Sequence, residues 1–486
     1  MTQVSAGSAG PGGPVAAAGA AGGLGAGGLA GRAGGGPVER VMSTVIRRLA
    51  WSRLSRPGVA VAVSGAGLLL GMLVAAMAPN FETLPVRLPL SSVLPSLSGG
   101  DGVAMAMLYA GDVLACLGLA GMLWAHSQGW RPDPRRLLLV SGGIVAVMVC
   151  LTPVGSSDIA SYAAYGRIAA RGGNPYTASP LAFLGAHSPY TQVVGVVWRG
   201  QRSVYGPVAT VVQAFAAWAG GAGVVTTIWV LMIVNGVVFV AVGYLLLRTS
   251  DDPVRATLFW VANPVIIQQL VGGGQLDTFV AAGAICSIQV ARRVRGARGD
   301  VLAGALIGLA CGVKVSAVLI GIGLAWPLLR RRDWARAARM TGAALAVVAL
   351  EYSFYGLAAL RSAMAGLKWV IMPSPWRLVQ LLGQGLGASP GAMTTVIGFA
   401  WPVAMFVVAW FIYRRISSDQ PREIVAPFAL TFAWVIVAPW VFAWYTAIAW
   451  ATLTLVPRNR MTRWLTIVTV FLALWLSNGG HSAPAR

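Results

Sequence analysis

The stretch TTIWVLMIVNGVVFVAVGYLLL, from Thr226 to Leu247, is one unbroken apolar run that ends at Arg248. An α-helix rises 1.5 Å per residue, so about 20 apolar residues cross the roughly 30 Å hydrocarbon core of a bilayer. Comparable runs recur along the chain, Leu137 to Pro153 among them. A closed barrel would instead need alternating segments of about ten residues. The fold class expected is therefore an all-α polytopic membrane protein.

Composition agrees, with 57% hydrophobic residues, 10% charged residues and a mean hydropathy of +0.72. A net charge of +22 on a soluble chain would suggest nucleic acid. Here the arginines gather in short loops between apolar runs, as the positive-inside rule requires, so no nucleic-acid partner is expected and the lipid bilayer is the principal surroundings. Lys314 and Lys368 are the two lysines, so neither belongs to a generic basic surface. Cys116, Cys150, Cys286 and Cys311 lie in or beside apolar spans without metal-ligand spacing and read as small packing residues.

Residues 1–40 are rich in Gly and Ala and poor in bulky apolar side chains, so they read as a disordered cytoplasmic tail. The membrane domain is expected over 41–480, with a short tail at 481–486. Arg47, Arg48, Arg53 and Arg56 precede the first apolar run and place the N-terminus in the cytoplasm. Apolar runs at 58–78, 104–124, 137–153, 222–247, 256–271, 277–291, 301–313, 315–329, 338–357, 392–413, 424–440, 443–457 and 464–477 give roughly 13 crossings. The basic loops Arg131 to Arg136, Arg292 to Arg298, Arg330 to Arg339, Arg414 to Arg422 and Arg458 to Arg463 then share the cytoplasmic face. Residues 154–221 form a large extracytoplasmic loop, in which 204–220 lies in the interface or dips in and returns. The location expected is the plasma membrane.

Most of the 14 acidic residues lie in the tail or the inner loops, but Asp158, Asp277 and Glu351 do not. Asp158, in Ser156-Ser157-Asp158-Ile159-Ala160-Ser161-Tyr162, opens the outer loop and is a candidate general base, since a partly desolvated carboxylate can take a proton from an attacking hydroxyl. It could also cap the helix that follows, and one residue could do both. Asp277, directly after Gly272-Gly273-Gly274-Gln275-Leu276, could orient an acceptor, hold a divalent cation with Asp158, or cap its own helix. Lys314 within an apolar run must be paired or face water. It either meets a phosphate or forms a salt bridge with Glu351 or Asp277. Arg167 and Arg202, with Arg171, Arg199, Arg361, Lys368 and Arg377, add positive charge on the outer side, suited to an anionic headgroup or to ordinary lipid phosphate. Tyr162, Tyr205, Trp444 and Tyr445 lie at loop edges, where aromatics form an interfacial belt or stack on sugar. No metal-binding cluster and no required cofactor is apparent, a divalent cation at the carboxylates aside.

The ordered series Ser157-Asp158, Ser161-Tyr162, Asn174-Pro175-Tyr176, Tyr205-Gly206-Pro207, Asn263-Pro264, the glycine turn ending at Asp277, Gly312-Val313-Lys314-Val315, Pro439-Trp440 and Trp444-Tyr445 resembles the GT-C class of membrane glycosyltransferases. Within that class it is most similar to the polyprenol-phosphate-mannose-dependent α-1,6-mannosyltransferases of bacterial envelope lipoglycan synthesis. The likeness spans about residues 40 to 480. It implies a GT-C-like helical bundle with a catalytic extracytoplasmic loop, a polyprenyl-phosphate mannose donor, a glycan or glycolipid acceptor, and α-1,6 transfer with inversion. It also implies an acidic base in an early outer loop, matched by Asp158. Lys314, Arg167 and Arg202 are then the donor-phosphate candidates, and Asp277, Tyr162, Tyr205, Trp444 and Tyr445 the acceptor or sugar candidates. Gln275-Leu276 stands before Asp277 where more polar neighbours are expected. Alternative readings are another polyprenyl-phosphate sugar, arabinofuranose or glucose, and a lipid-linked saccharide transporter or flippase.

Overall fold

A computed structural model describes residues 56–475 except 81, 96–99, 367–368, 373 and 417–419. The tail expected over 1–40, the tail at 481–486 and Lys368 lie outside the described residues. Every regular element described is helical, and β pairing is confined to one bridge between Thr83 and Val154. Four helices are single rods long and apolar enough to cross a membrane: Pro57–Ala76, Asp101–Ser127, Val224–Thr249 and Pro390–Arg415. Two bent pairs raise the number to six, Pro253–Phe259 with Pro264–Gly272 at 42° and Trp334–Ser353 with Leu357–Gly366 at 107°. The protein is thus a helical membrane protein.

Other runs expected as crossings are shorter helices. The run 443–457 contains a 3₁₀ turn at Ala443–Tyr445 and the eight-residue helix Thr446–Leu453. The run 204–220, expected to lie in the interface or to dip in and return, forms the helix Pro207–Ala219. A turn in place of a full crossing leaves backbone groups unpaired, which is tolerated at membrane depth only when protein or a wet cavity surrounds them. Thr446–Leu453 meets that condition, because all eight of its residues are buried.

The interior is aromatic. Trp260 stacks on Phe239 with ring centroids 5.1 Å apart, and Phe259 meets Trp450 edge-on at 5.0 Å. Both indoles are fully buried and both find acceptors: Trp260 Nε1 donates to the Phe239 carbonyl at 2.9 Å and Trp450 Nε1 to Thr469 Oγ1 at 2.9 Å. That is what permits an indole to sit in an apolar core. Large side chains of Pro390–Arg415, such as Val403, Phe399 and Phe411, instead point outward, as a lipid-facing helix should.

Charges gather where the alternation of spans puts the inner loops. Asp300 accepts from Arg336 Nε at 2.9 Å and Arg339 Nη2 at 2.7 Å, tying Gly296–Cys311 to Trp334–Ser353. Asp252 accepts from Arg458 Nη2 at 3.2 Å, and His126 lies beside both. Arg255, 4% exposed, donates from Nη1 to the Val456 carbonyl at 2.6 Å and from Nη2 to the Leu453 carbonyl at 3.1 Å. Its guanidinium also lies 4.4 Å from the Phe259 ring centroid. It therefore closes the C-terminal end of Thr446–Leu453, where carbonyls lack helical partners and the helix dipole favours a cation.

Replacing Arg255 with Ala leaves those buried carbonyls unpaired and is expected to destabilise the fold by about 2–3 kcal/mol. Thermal unfolding of the purified protein checks this, with Arg255→Lys recovering part of the loss. An unchanged midpoint for Arg255→Ala would show that the carbonyls find other partners.

Candidate active site

Asp158 begins its helix, Asp158–Ala170, as the first helical residue, with Ser157 at the cap position. No side-chain cap bond forms at that terminus. Instead the Asp158 N–H donates to Ser156 Oγ at 3.2 Å. The carboxylate is thus not spent on capping. Every residue from Ile159 to Gly166 is buried, whereas Asp158 itself keeps partial exposure.

Two backbone turns bring the remaining groups to it. Beyond the end of the Asp158 helix at Ala170, Asn174-Pro175-Tyr176 forms an Asx turn, with the Tyr176 N–H donating to Asn174 Oδ1 at 2.9 Å. Tyr176 Oη then bonds Thr210 Oγ1 at 2.7 Å and fixes this end against Pro207–Ala219. In the second turn the Gly206 N–H donates to the Val313 carbonyl at 3.0 Å and the Ala209 N–H to the Gly312 carbonyl at 3.1 Å. A Cβ at Gly206 would lie 2.3 Å from the Gly312 carbonyl oxygen, so only glycine allows Tyr205-Gly206-Pro207 to rest on Gly312-Val313-Lys314. This contact sets Tyr205 and Lys314 in one place.

Lys314 Nζ lies 3.1 Å and 3.0 Å from the two carboxylate oxygens of Asp277, and 3.7 Å from the Tyr445 ring centroid. The salt bridge expected as one alternative for Lys314 is therefore made, to Asp277 and not to Glu351. Asp277 is likewise the first residue of its helix, with Leu276 at the cap and no side-chain cap bond. Tyr445 stacks on Trp434 at 5.0 Å, and Tyr162 meets Tyr205 edge-on at 4.9 Å.

Gln275, fully buried, joins the halves. Its Nε2 donates to Ser156 Oγ at 2.8 Å, its Oε1 accepts from Tyr162 Oη at 3.1 Å, and its carbonyl accepts from Asn235 Nδ2 at 2.9 Å. Gly274, at φ +64°, supplies the left-handed turn that delivers it. Gln275 and Ser156 bridge the gathered residues, and sequence reasoning did not single them out.

Asp158 senses this surrounding. Burial pushes its carboxyl up to about 6, with Asp277 adding to the rise and Lys314, Tyr162 and Gln275 opposing it. A carboxylate that still loses its proton near neutrality, next to a buried ammonium, can accept a proton from a hydroxyl.

The structure thus gathers Asp158, Asp277, Lys314, Tyr162, Tyr205 and Tyr445. Trp444 is adjacent but 3% exposed, stacked on Phe442 at 4.5 Å. Arg167 is engaged elsewhere: its Nη1 donates to the Gly221 carbonyl at 2.9 Å and its guanidinium lies 5.5 Å from the Tyr190 ring centroid. Arg202 is exposed, three residues before Tyr205.

The chain is similar to several known proteins. The chain is 26% identical over 460 residues to alpha-(1->6)-mannopyranosyltransferase B of Corynebacterium glutamicum, covering 82% of this chain and 72% of that protein. It is 24% identical over 331 residues to alpha-(1->6)-mannopyranosyltransferase A of Mycobacterium tuberculosis, covering 63% of each. A probable alpha-(1->6)-mannopyranosyltransferase of Mycolicibacterium smegmatis is 25% identical over 307 residues, covering 61% of this chain and 51% of that protein. No solved structure gives a significant match. Residues 58–330, more than half of the chain and including Asp158, Asp277 and Lys314, match the family described as alpha-(1->6)-mannopyranosyltransferase, N-terminal domain, and the chain belongs to that mannosyltransferase family.

Proposed function

We propose that this protein transfers mannose from polyprenyl-phosphate mannose to a glycan or lipoglycan acceptor at the extracytoplasmic face, forming an α-1,6 linkage with inversion. The observation that carries the reading is Asp158: a partly exposed carboxylate, free of capping duty, held near neutrality beside the Lys314 and Asp277 pair. The names of the relatives, all alpha-(1->6)-mannopyranosyltransferases, support the sugar and the linkage. In this reading residues 41–480 form a GT-C-like bundle of roughly 13 crossings, and 154–221 are the outer catalytic loop. The meeting of Asp252, Asp300, Arg336, Arg339 and Arg458 within and between loops expected inside supports that sidedness.

The reaction is a single displacement. The acceptor oxygen gives its proton to Asp158 and forms a bond to the anomeric carbon. The bond from that carbon to the phosphate oxygen breaks, and polyprenyl phosphate leaves with the electron pair. A phosphate needs no general acid, only stabilisation of its charge. Lys314, an ammonium with three donors, meets Asp277 with two and rests against Tyr445, so a phosphate oxygen would take over part of the Tyr445 contact. Arg202 serves the phosphate from the exposed rim, while Arg167 would first have to leave Gly221. Asp277 aims Lys314, Tyr162 holds Gln275, and Tyr205 and Tyr445 give the sugar its aromatic walls, with the buried Trp444 packed edge-on against Tyr445 at 6.1 Å.

Asp158→Asn is expected to lower kcat by about 10²–10⁴-fold with donor binding retained. Turnover near the wild-type level in the folded variant would remove Asp158 as the base. For the wild type, log kcat/KM should be level above pH 7 and fall about one unit per pH unit below about 6, because the base acts only when deprotonated. An acid limb near pH 4 would contradict burial as the tuning force. Lys314→Met should weaken donor use and also move the limb to higher pH, since the ammonium favours the Asp158 carboxylate. A merely structural lysine would change unfolding and leave the limb in place.

A further inference from the structure

Ser156 also borders a second polar recess, together with Asp112, Gly155, Gln268, Gln269 and Gly273. Asp112 lies within the apolar helix Asp101–Ser127 and is 2% exposed. Gln268 Nε2 donates to Asp112 Oδ1 at 2.9 Å, which leaves Gln268 Oε1 buried without a partner. Glu82 is 1% exposed, and both of its carboxylate oxygens are buried without partners. Its backbone is pinned to the recess, since its carbonyl accepts from the Gly155 N–H at 3.1 Å and Thr83 bridges Val154. Glu82 and Asp112 thus adjoin one recess, Asp112 as part of its lining and Glu82 through Gly155 and Val154. No ion pair among the described residues includes either. In a chain of net charge +22, this pair is left without a protein cation.

Gln268 reaches the recess from Ile267–Gly272, which winds as a π-helix. Such turns are rare and concentrate at functional sites. Two buried carboxylates without a counter-charge are several kcal/mol unfavourable each unless protons or a cation neutralise them. A proton gives one donor, whereas three acceptors are orphaned here: Gln268 Oε1, whose residue lines the recess, and Glu82 Oε1 and Oε2, whose backbone adjoins it. A cation satisfies all three. The donors are hard oxygens, and a mixture of carboxylate, amide and backbone carbonyl with water is the ligand set of calcium or magnesium. No set of three His, Cys, Asp or Glu side chains placed to hold a metal occurs among the described residues, so amide, backbone and water oxygens complete the shell.

We propose that Glu82, Asp112 and the amide oxygen of Gln268 bind a divalent hard cation, distinct from the Asp158, Asp277 and Lys314 cluster. Its role is to order the loop at Gly155 and Ser156. Ser156 Oγ accepts from the Asp158 N–H and from Gln275, so the ion steadies the segment that carries Asp158. The site is independent of which sugar is transferred.

The test uses the full-length purified protein, stripped with chelator and titrated with Ca²⁺ or Mg²⁺. Metal content after gel filtration and the unfolding midpoint are the readouts. The expected result is about one tightly held ion per chain, with a midpoint rise of about 3 °C at a hundredfold excess over Kd. Glu82→Gln and Asp112→Asn should each lose both responses, and Asp158→Asn and Asp277→Asn should keep them. Should Asp112→Asn fail to fold, Glu82→Gln decides alone. Absence of binding and of a midpoint shift in wild type overturns the proposal in favour of protonated carboxyls. Binding that survives Glu82→Gln, or that disappears in Asp158→Asn, overturns the location.

Discussion

A lysine ammonium and an aspartate carboxylate, both largely buried, meet at 3.0 Å and organise the site. Neither charge could remain alone in surroundings of low polarity, and a buried pair recovers its desolvation only with good geometry and further hydrogen bonds. The geometry is supplied from several directions. Both carboxylate oxygens of Asp277 face Lys314 Nζ, the Tyr445 ring lies against the same ammonium, and the Gly206 and Gly312 contact fixes the backbone from which Lys314 projects. The geometry needed for a buried charge pair thus specifies the Tyr205-Gly206-Pro207 turn, the triple-glycine turn and the Trp444-Tyr445 segment together.

Asp158 depends on that pair without belonging to it. Burial raises its carboxyl, and Lys314 limits the rise, so the distance of one ammonium from two carboxylates divides their labour. Asp277 meets that ammonium by direct contact. Asp158, reached only through space, keeps a proton affinity useful near neutral pH. Gln275 maintains the separation by tying the Ser156 loop to the glycine turn through Ser156 and Tyr162.

Much of this was legible in the chain because charge inside apolar sequence is rare and so is informative. Asp158, Asp277 and Lys314 could be singled out for that reason, and Tyr205-Gly206-Pro207 for its turn chemistry. Gln275 could not, since a neutral amide carries no burial penalty visible in sequence and its value lies in whom it bridges. Arg255 looked like one of many loop arginines until its carbonyl partners were in view. The roughly 13 apolar runs were read from length and hydropathy, yet these quantities are blind to the π-helix at Ile267–Gly272 and to the 107° bend after Ser353. Arg167 shows the reverse limit: proximity in sequence to Asp158 did not bring its guanidinium to the Lys314 cluster, because Gly221 and Tyr190 hold it elsewhere.

The most direct measurement is to incubate the purified protein with synthetic polyprenyl-phosphate β-mannose and a short α-mannoside acceptor, and to determine the linkage of any product by NMR. The account predicts a new α-1,6-mannosyl linkage formed by the wild type and absent with Asp158→Asn. A β-linked product would contradict inversion, and no product from folded protein with this donor, alongside transfer from a different polyprenyl-phosphate sugar, would contradict mannose as the substrate.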